Sequence, residues 1–170
     1  FEIDFITLTH STLEPNGLSI TTPEGVILHT GDWKVDPNPL IGNKVDEKKL
    51  RSIGERGVIA MICDSTNVFS PGRAGSEKDV RESLLKIISS QKKRVLVTSF
   101  ASNVARMESI FYIAKQTKRN ISLVGRSMHR IYKAAKQCGY LKDVVEPIDP
   151  RDAGKIAKDR IIFLGTGSQG

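Results

Sequence analysis

Strand and helix patterns alternate along the second half of this chain, and this alternation constrains its fold more than any other feature. Short runs rich in apolar and β-branched residues predict strands at 94–99, 120–125 and 160–164. Helical patterns are present from Ser76 to about Ser90, at 103–117, at 127–138 and near 150–158. Such alternation is typical of a parallel sheet covered by helices, so we predict an α/β fold for this half.

The first part of the chain, up to about Asp64, has the pattern of short strands joined by turns. Pro15-Asn16-Gly17 and Pro23-Glu24-Gly25 are turn signals. The predicted strands lie at 2–9, 18–22, 26–30 and 58–63. The loop from Phe69 to Gly75 is rich in helix and strand breakers, so it is the best candidate for a boundary between the two parts.

Small polar residues and glycines follow every predicted strand from residue 58 onward. Ligands of open α/β sheets bind beyond the carboxyl ends of the strands, and hydroxyls, glycine backbone and arginine suit a phosphate there. The candidate phosphate-binding residues are Ser99, Ser102, Asn103, Arg126, Ser127, Gly167 and Ser168. Two alternatives stay open, because Ser102 and Ser127 could be helix N-caps and Arg126 could pair with a carboxylate.

Two potential metal ligands follow predicted strands in the first part. His10 comes after the strand at 2–9, and Asp32 comes after the strand at 26–30. Because two ligands are too few for a metal site, the others would come from sequence elsewhere in a longer protein. We therefore expect this chain to be a piece of one. Nearby, His29 fits a packed, hydrogen-bonded histidine better than a ligand, and Lys34 and Asp36 are expected to brace the loop.

The composition limits the class of protein. A hydrophobic fraction of 39% and a charged fraction of 26% fit a globular domain, and no apolar run reaches the ~20 residues of a membrane span. Cys63 and Cys138 are predicted to be reduced, buried core residues of a cytoplasmic protein. The net charge of +7 favours a polyanionic partner or, alternatively, a solvated basic surface. We expect Lys92-Lys93-Arg94 to be a solvated loop.

Several motifs together resemble the ribonuclease J family of the metallo-β-lactamase superfamily, β-CASP subgroup. They occur in family order along nearly the whole chain. The matching segments are His10-Ser11, His29-Thr30-Gly31-Asp32-Trp33-Lys34-Val35-Asp36, Cys63-Asp64-Ser65-Thr66-Asn67, Ser99-Phe100-Ala101-Ser102-Asn103-Val104, Gly125-Arg126-Ser127-Met128 and Gly165-Thr166-Gly167-Ser168-Gln169-Gly170.

The resemblance implies roles for individual residues. His10 matches a histidine that binds one metal ion, and Asp32 matches a catalytic carboxylate that bridges two divalent ions, either Zn²⁺ or Mn²⁺. Asp64 matches the acidic residue that opens the β-CASP signature and is implied to support the catalytic centre. The later serine, asparagine, arginine and glycine motifs would contact RNA. The remaining metal ligands of the family would lie outside this chain, so its metal site would be incomplete.

The resemblance also implies a fold and a function. Residues 1–73 would be part of a metallo-β-lactamase αββα sandwich, and residues 74–170 would be part of a β-CASP domain with a parallel sheet flanked by helices. The full-length protein would be a cytoplasmic, homo-oligomeric ribonuclease with 5′-to-3′ exonuclease and endonuclease activity in RNA maturation and decay. It would prefer 5′-monophosphorylated RNA, and the isolated fragment would be inactive. The alternative is a non-catalytic α/β module that binds RNA or nucleotide phosphates.

Overall fold

A mixed four-stranded sheet forms the first of two units in the computed structural model, which describes residues 1–167. Its strands are β1 (Glu2–Thr7), β2 (Asn16–Thr22), β3 (Gly25–His29) and β4 (Val58–Ile62). They lie in the order β1-β2-β3-β4, with two antiparallel hairpins followed by a parallel β3–β4 pair. The four strands predicted in this part are all present.

A helix that the sequence analysis did not predict, α1 (Glu47–Glu55), lies between β3 and β4. A parallel strand pair needs a crossover connection, and this helix supplies it. Leu50 and Ile53 are the apolar residues of its polar sequence, so its amphipathic signal is short. Asp46 caps the helix by accepting the Lys49 N–H at 3.0 Å, and Ile53 is buried with Ile6, Leu8 and Val26.

The second unit begins at Lys78 and contains a three-stranded parallel sheet. The strands β5 (Val95–Ser99), β6 (Asn120–Val124) and β7 (Ile161–Thr166) lie in the order β5-β7-β6. The helices are α2 (Glu77–Ser90), α3 (Val104–Gln116), α4 (Arg126–Gln137) and the short α5 (Pro150–Ala153), with a 3-10 turn at Lys158–Arg160. The predicted α/β alternation with a parallel sheet is therefore confirmed.

The core of this second unit lies between its sheet and the helices α3 and α4. The central strand β7 buries Ile161, Ile162 and Leu164, as expected for a strand between two parallel neighbours. From the helices, Phe111 and Tyr132 stack with their ring centroids 5.5 Å apart. The helices α3 and α4 pack on β6 and β7, and β5 is held by its pairing with β7.

Two further expectations concern the cysteines and the membrane. Both Cys63 and Cys138 are free and exposed, so the prediction that they are core residues is wrong. The reason is their position, because Cys63 follows the last residue of β4 and Cys138 is the C-cap of α4.

Within residues 1–167, no helix is long and apolar enough to cross a membrane.

Candidate functional site

An isolated antiparallel bridge joins Thr9 and Lys34 at the carboxyl end of β1. The Lys34 N–H donates to the Thr9 carbonyl oxygen at 2.9 Å, and the Thr9 hydroxyl accepts the Asp36 N–H at 3.0 Å. Since paired segments run side by side, the bridge places His10 next to the segment that carries Asp32. The structure thus places side by side the two segments that carry the residues selected as metal ligands.

Asp64 joins the same group from the end of β4. Its backbone N–H donates to the Thr30 hydroxyl at 3.2 Å, and its carboxylate accepts the Thr66 N–H at 2.9 Å and the Thr66 hydroxyl. Hydrogen bonds from Thr66, reinforced by the nearby His10 and by the Trp33 N–H, hold the pKa of the Asp64 carboxyl below its usual range. Asp64 is therefore a fixed, ionised carboxylate close enough to His10 to act on it electrostatically.

His10 has a feature expected of a residue that binds a metal ion. Its Nδ1 is buried and has no hydrogen-bond partner among the described residues, whereas buried polar atoms normally have one. Asp32 is exposed, so its carboxylate is accessible to a metal ion. Imidazole nitrogen and carboxylate oxygen are donors that Zn²⁺ and Mn²⁺ accept. These residues fit part of a metal site.

The described residues do not form a complete metal centre. Within residues 1–167, no group of three or more His, Cys, Asp or Glu side chains could hold a metal ion. A stable site needs three or four protein ligands.

Asp36 and Lys34 brace the loop around this group, as the sequence analysis expected. Asp36 is buried and accepts the backbone N–H groups of Asn38 at 2.9 Å and Glu77 at 3.0 Å. Burial raises the pKa of Asp36, but these hydrogen bonds, one from Ser76 and the charge of Lys34 outweigh it, so the net pKa is lowered. Lys34 also donates to the Gly75 carbonyl oxygen at 3.0 Å.

His29 lies in the same unit but has a local partner. Its Nδ1 accepts the Gly31 N–H at 3.1 Å, which fixes the turn that leads to Asp32. This contact agrees with the prediction of a packed, hydrogen-bonded histidine. Trp33 packs partly buried against the core of the first unit and donates its indole N–H toward the Cys63 sulfur at 3.3 Å.

The candidate phosphate-binding residues of the second unit gather at the carboxyl edge of its sheet. Ser99 is paired with Thr166 on the neighbouring strand, and Val124 is paired with Gly165. Neighbouring strands are about 4.8 Å apart, so the three strand ends meet at one edge. The residues that follow them there include Ser102, Asn103, Arg126, Ser127 and Gly167, while Ser168 lies outside the described residues.

The sequence left open that Ser102 and Ser127 are the N-caps of the two helices at this edge, but the structure shows other residues in these positions. Asn103 caps α3 by accepting the Arg106 N–H at 2.8 Å, and Gly125 is the N-cap of α4 without any side-chain cap. Ser102 and Ser127 therefore cap neither helix, and both are exposed. Gly125 has a φ of +104°, and a Cβ there would lie 2.9 Å from the Thr166 Oγ1. Glycine is thus required where α4 begins.

Sequence reasoning missed the residues that hold the candidate site in shape. Thr66 fixes Asp64, and its spacing in Asp64-Ser65-Thr66 is that of a turn closed by an aspartate side chain. That signal was available in the sequence. Thr9 and Thr30 brace the site through contacts between residues distant in sequence, so no local pattern indicated them.

Comparisons with known proteins find one family model that matches part of the chain and relatives that align with all of it. Residues 92–170 match the family described as ribonuclease J, beta-CASP domain. Ribonuclease J of Sinorhizobium meliloti is 41% identical over 170 residues, and those of Corynebacterium glutamicum and Thermus thermophilus are 39% and 35% identical. Each alignment covers 100% of this chain but only 30%, 24% and 30% of the respective relative.

A solved structure shares the fold. A crystal structure of a protein of unknown function from Enterococcus faecalis matches with a TM-score of 0.60 and 17% sequence identity. The match covers 98% of this chain and 42% of that chain. At this identity the likeness concerns the fold alone.

Proposed function

Because the chain belongs to the ribonuclease J family, we propose that the full-length protein is a metal-dependent ribonuclease that hydrolyses RNA phosphodiester bonds. The chain spans about 30% of the length of the relatives it matches, so the activity is proposed for the whole protein and not for this piece. We propose a cytoplasmic enzyme, active as a homo-oligomer, with 5′-to-3′ exonuclease and endonuclease activity and a preference for 5′-monophosphorylated RNA. Its role would be RNA maturation and decay.

One observation supports the catalytic part of this proposal most strongly. The Nδ1 of His10 is buried and has no hydrogen-bond partner among the described residues, and the charge of His10 acts on the carboxylate of Asp64. The Thr9–Lys34 bridge pairs the strand end that leads to His10 with the segment that carries Asp32. A buried nitrogen without a partner is costly, and a bound cation would remove that cost. The strand ends that carry the group are stiff, as a precise metal site requires.

Each residue of the group has a distinct proposed role. His10 would bind one ion through its imidazole, and Asp32 would bridge two ions because a carboxylate has two oxygens. Asp64 would support the centre as a catalytic carboxylate, kept ionised by its hydrogen bonds from Thr66. When bound, two divalent ions would supply Lewis acidity at the scissile phosphate and a nucleophile at neutral pH.

The second unit would contribute contacts to the RNA backbone. Arg126 and Ser127 are exposed at the start of α4, so they are free to donate hydrogen bonds to a phosphate. Ser99, Ser102 and Gly167 lie at the same sheet edge and would contribute hydroxyl and backbone donors. The side-chain oxygen of Asn103 already caps α3, so its amide N–H₂ would be the group available to RNA.

We also propose the domain assignment that this function requires. Residues 1–73 would be part of a metallo-β-lactamase αββα sandwich, and residues 74–170 part of the β-CASP domain. The family match over residues 92–170 supports the second of these assignments. The mixed sheet of the first unit is compatible with one layer of such a sandwich.

Removing and restoring metal in the full-length protein tests this proposal. Stripping the protein with a chelator should abolish cleavage of labelled RNA, and adding Mn²⁺ or Zn²⁺ back should restore it. Undiminished cleavage after complete metal removal would contradict the metal-dependent mechanism. RNA binding without cleavage under any metal condition would favour the alternative, a non-catalytic phosphate-binding module.

A further inference from the structure

The amino ends of the three parallel strands in the second unit carry a concentration of positive charge. The segments that lead into β5, β7 and β6 are 92–94, 158–160 and 118–120, and their sequences are Lys-Lys-Arg, Lys-Asp-Arg and Lys-Arg-Asn. Asp159 is the sole acidic residue in these segments. Six exposed cations form what we call the amino-edge cluster, namely Lys92, Lys93, Arg94, Lys118, Lys158 and Arg160.

Hydrogen bonds between the segments hold this cluster in place. Arg119 is buried, and its guanidinium donates to the carbonyl oxygens of Lys93 at 3.0 Å and Gln91 at 2.6 Å. Arg160 donates to the Lys118 carbonyl oxygen at 3.3 Å, and Asn120 donates back to the Arg160 carbonyl oxygen at 3.3 Å. The cations therefore project from loops that are tied to one another, and they are not independent flexible tails.

The six cations of the cluster are not paired with carboxylates in the part of the chain that the structure describes. Other basic residues of the same unit do form such pairs, for example Lys136 with Glu146 and Arg151 with Asp149. Like charges held close together repel one another, and a polyanion bound across them would relieve that repulsion.

The chemistry of the cluster favours a nucleic-acid backbone over a protein partner. Protein interfaces have an apolar centre, yet the three segments contain no apolar residue. They contain no aromatic residue that could stack on a base either, so recognition would be through phosphates and independent of sequence. Neighbouring strand starts are about 4.8 Å apart, which spreads the cations along the sheet edge as a chain of phosphates requires.

We propose that the amino-edge cluster is a second RNA-backbone site, separate from the phosphate-binding loops at the opposite edge of the same sheet. The choice of RNA rests on the proposed function. Strands of five or six residues separate the two edges by about 17–20 Å at ~3.3 Å per residue. A stacked RNA of about 4 nucleotides spans ~14 Å, which is less than the distance between the two edges, whereas a long RNA spans more than that distance.

Matched lysine substitutions in the full-length protein test the proposal. One double variant, Lys92→Gln with Lys93→Gln, alters the start of β5. The second, Lys118→Asn with Lys158→Gln, alters the starts of β6 and β7, and asparagine is used because Lys118 has a φ of +53°. The control, Lys44→Gln with Lys48→Gln, removes two exposed lysines of the first unit that form no ion pair within residues 1–167. All four proteins are compared by circular dichroism to confirm folding.

The readouts are RNA binding by fluorescence anisotropy over a range of salt concentrations and cleavage of a short RNA. Each cluster variant should bind an RNA of about 30 nucleotides about tenfold more weakly, with a salt slope lower by about 1.4, since each lost single-strand phosphate contact removes about 0.7. The control should bind like the wild type. Cleavage of an RNA of about 4 nucleotides should stay unchanged in every variant.

The possible outcomes separate this inference from the proposed function. If the wild type cleaves RNA but the cluster variants bind long RNA like the control, the second site is overturned and the function stands. If the wild type does not cleave RNA but the cluster variants still lose RNA binding, the proposed ribonuclease function is contradicted and the amino-edge cluster is supported as an RNA site. Unchanged RNA binding together with lost binding of polyglutamate would assign the cluster to an acidic polypeptide and overturn the proposal.

Discussion

Lys34 donates its backbone N–H to the carbonyl oxygen of Thr9 at 2.9 Å, and this pairing aligns the two segments that carry His10 and Asp32. The Thr9 hydroxyl reinforces the pairing by accepting the Asp36 N–H. The residues of the candidate metal group are thus positioned by backbone contacts between strand ends.

Replacing His10 with glutamine should weaken divalent metal binding. The substitution removes the buried Nδ1 that has no partner among the described residues. Loss of an outer-shell partner already lowers metal affinity by 10–100-fold in other proteins, so loss of a direct ligand should lower it by about 100-fold or more. Titration of the full-length protein with Mn²⁺ measures the change. His129→Gln in the second unit serves as the control, and equal affinities of the two variants would argue against His10 as a ligand.

Replacing Thr66 with valine should raise the pKa of the Asp64 carboxyl. The Thr66 hydroxyl hydrogen bond is the largest cause that lowers this pKa, and valine cannot donate it. Because the pKa rises, the acidic limb of the pH–rate profile of RNA cleavage should move to higher pH. Asn67→Ala changes the same turn without removing a hydrogen bond to Asp64. A profile for Thr66→Val that coincides with that of Asn67→Ala would show that Asp64 does not titrate in the reaction.

Replacing Asp36 with alanine should destabilise the protein by about 3 kcal/mol, because each buried donor left unpaired costs about 1–3 kcal/mol. The donors are the backbone N–H groups of Asn38 and Glu77. The folded-state pKa of Asp36 lies below its usual 3.8, so its ionisation stabilises the fold above that pH. This contribution is lost as pH falls through the folded-state pKa.

Urea unfolding measures both effects of Asp36. The free-energy difference between the wild type and Asp36→Asn should shrink as pH falls below about 3.8. Glu2→Ala, at an exposed position, is the control and should leave the free energy of unfolding nearly unchanged. A free-energy difference that grows on acidification would show that folding raises the pKa of Asp36, and it would contradict this prediction.

Replacing Gly125 with alanine should destabilise the protein by about 1–3 kcal/mol, because a residue with a Cβ is strained in this backbone conformation. Gly125 has a φ of +104°, and the new Cβ would lie 2.9 Å from the Thr166 Oγ1. Gly154→Ala is a matched control, since its φ is −63° and nothing lies within 4 Å of the added Cβ. Thermal unfolding that affects both variants equally would contradict this account.

The alternation of strands and helices could be predicted from the sequence because it depends on local periodicity. Each predicted strand of the second unit is present, and its polar exit follows directly from where the apolar run stops. The gathering of Ser99, Gly125 and Gly167 at one edge follows in turn, because parallel strands place their carboxyl ends together. The position of the candidate phosphate-binding residues was therefore accessible from local patterns.

Other features depend on contacts that local patterns do not encode. Helix α1 has Leu50 and Ile53 as its apolar residues, and it forms because a parallel β3–β4 pair needs a crossover. The Nδ1 of His10 is buried and has no hydrogen-bond partner among the described residues, which no local pattern in the sequence indicates. The exposure of Cys63 likewise depends on where β4 ends in the sheet.

The central claim is tested most directly by RNA cleavage with the full-length protein in the presence of Mn²⁺. RNA labelled along its length is supplied with either a 5′-monophosphate or a 5′-triphosphate, and Asp32→Ala is compared with Glu24→Ala, an exposed acidic residue in a turn. We predict that the wild type and Glu24→Ala release mononucleotides mainly from the monophosphorylated RNA. Asp32→Ala should bind RNA but not cleave it. Near wild-type turnover by Asp32→Ala would contradict the bridging role and the metal site built on it.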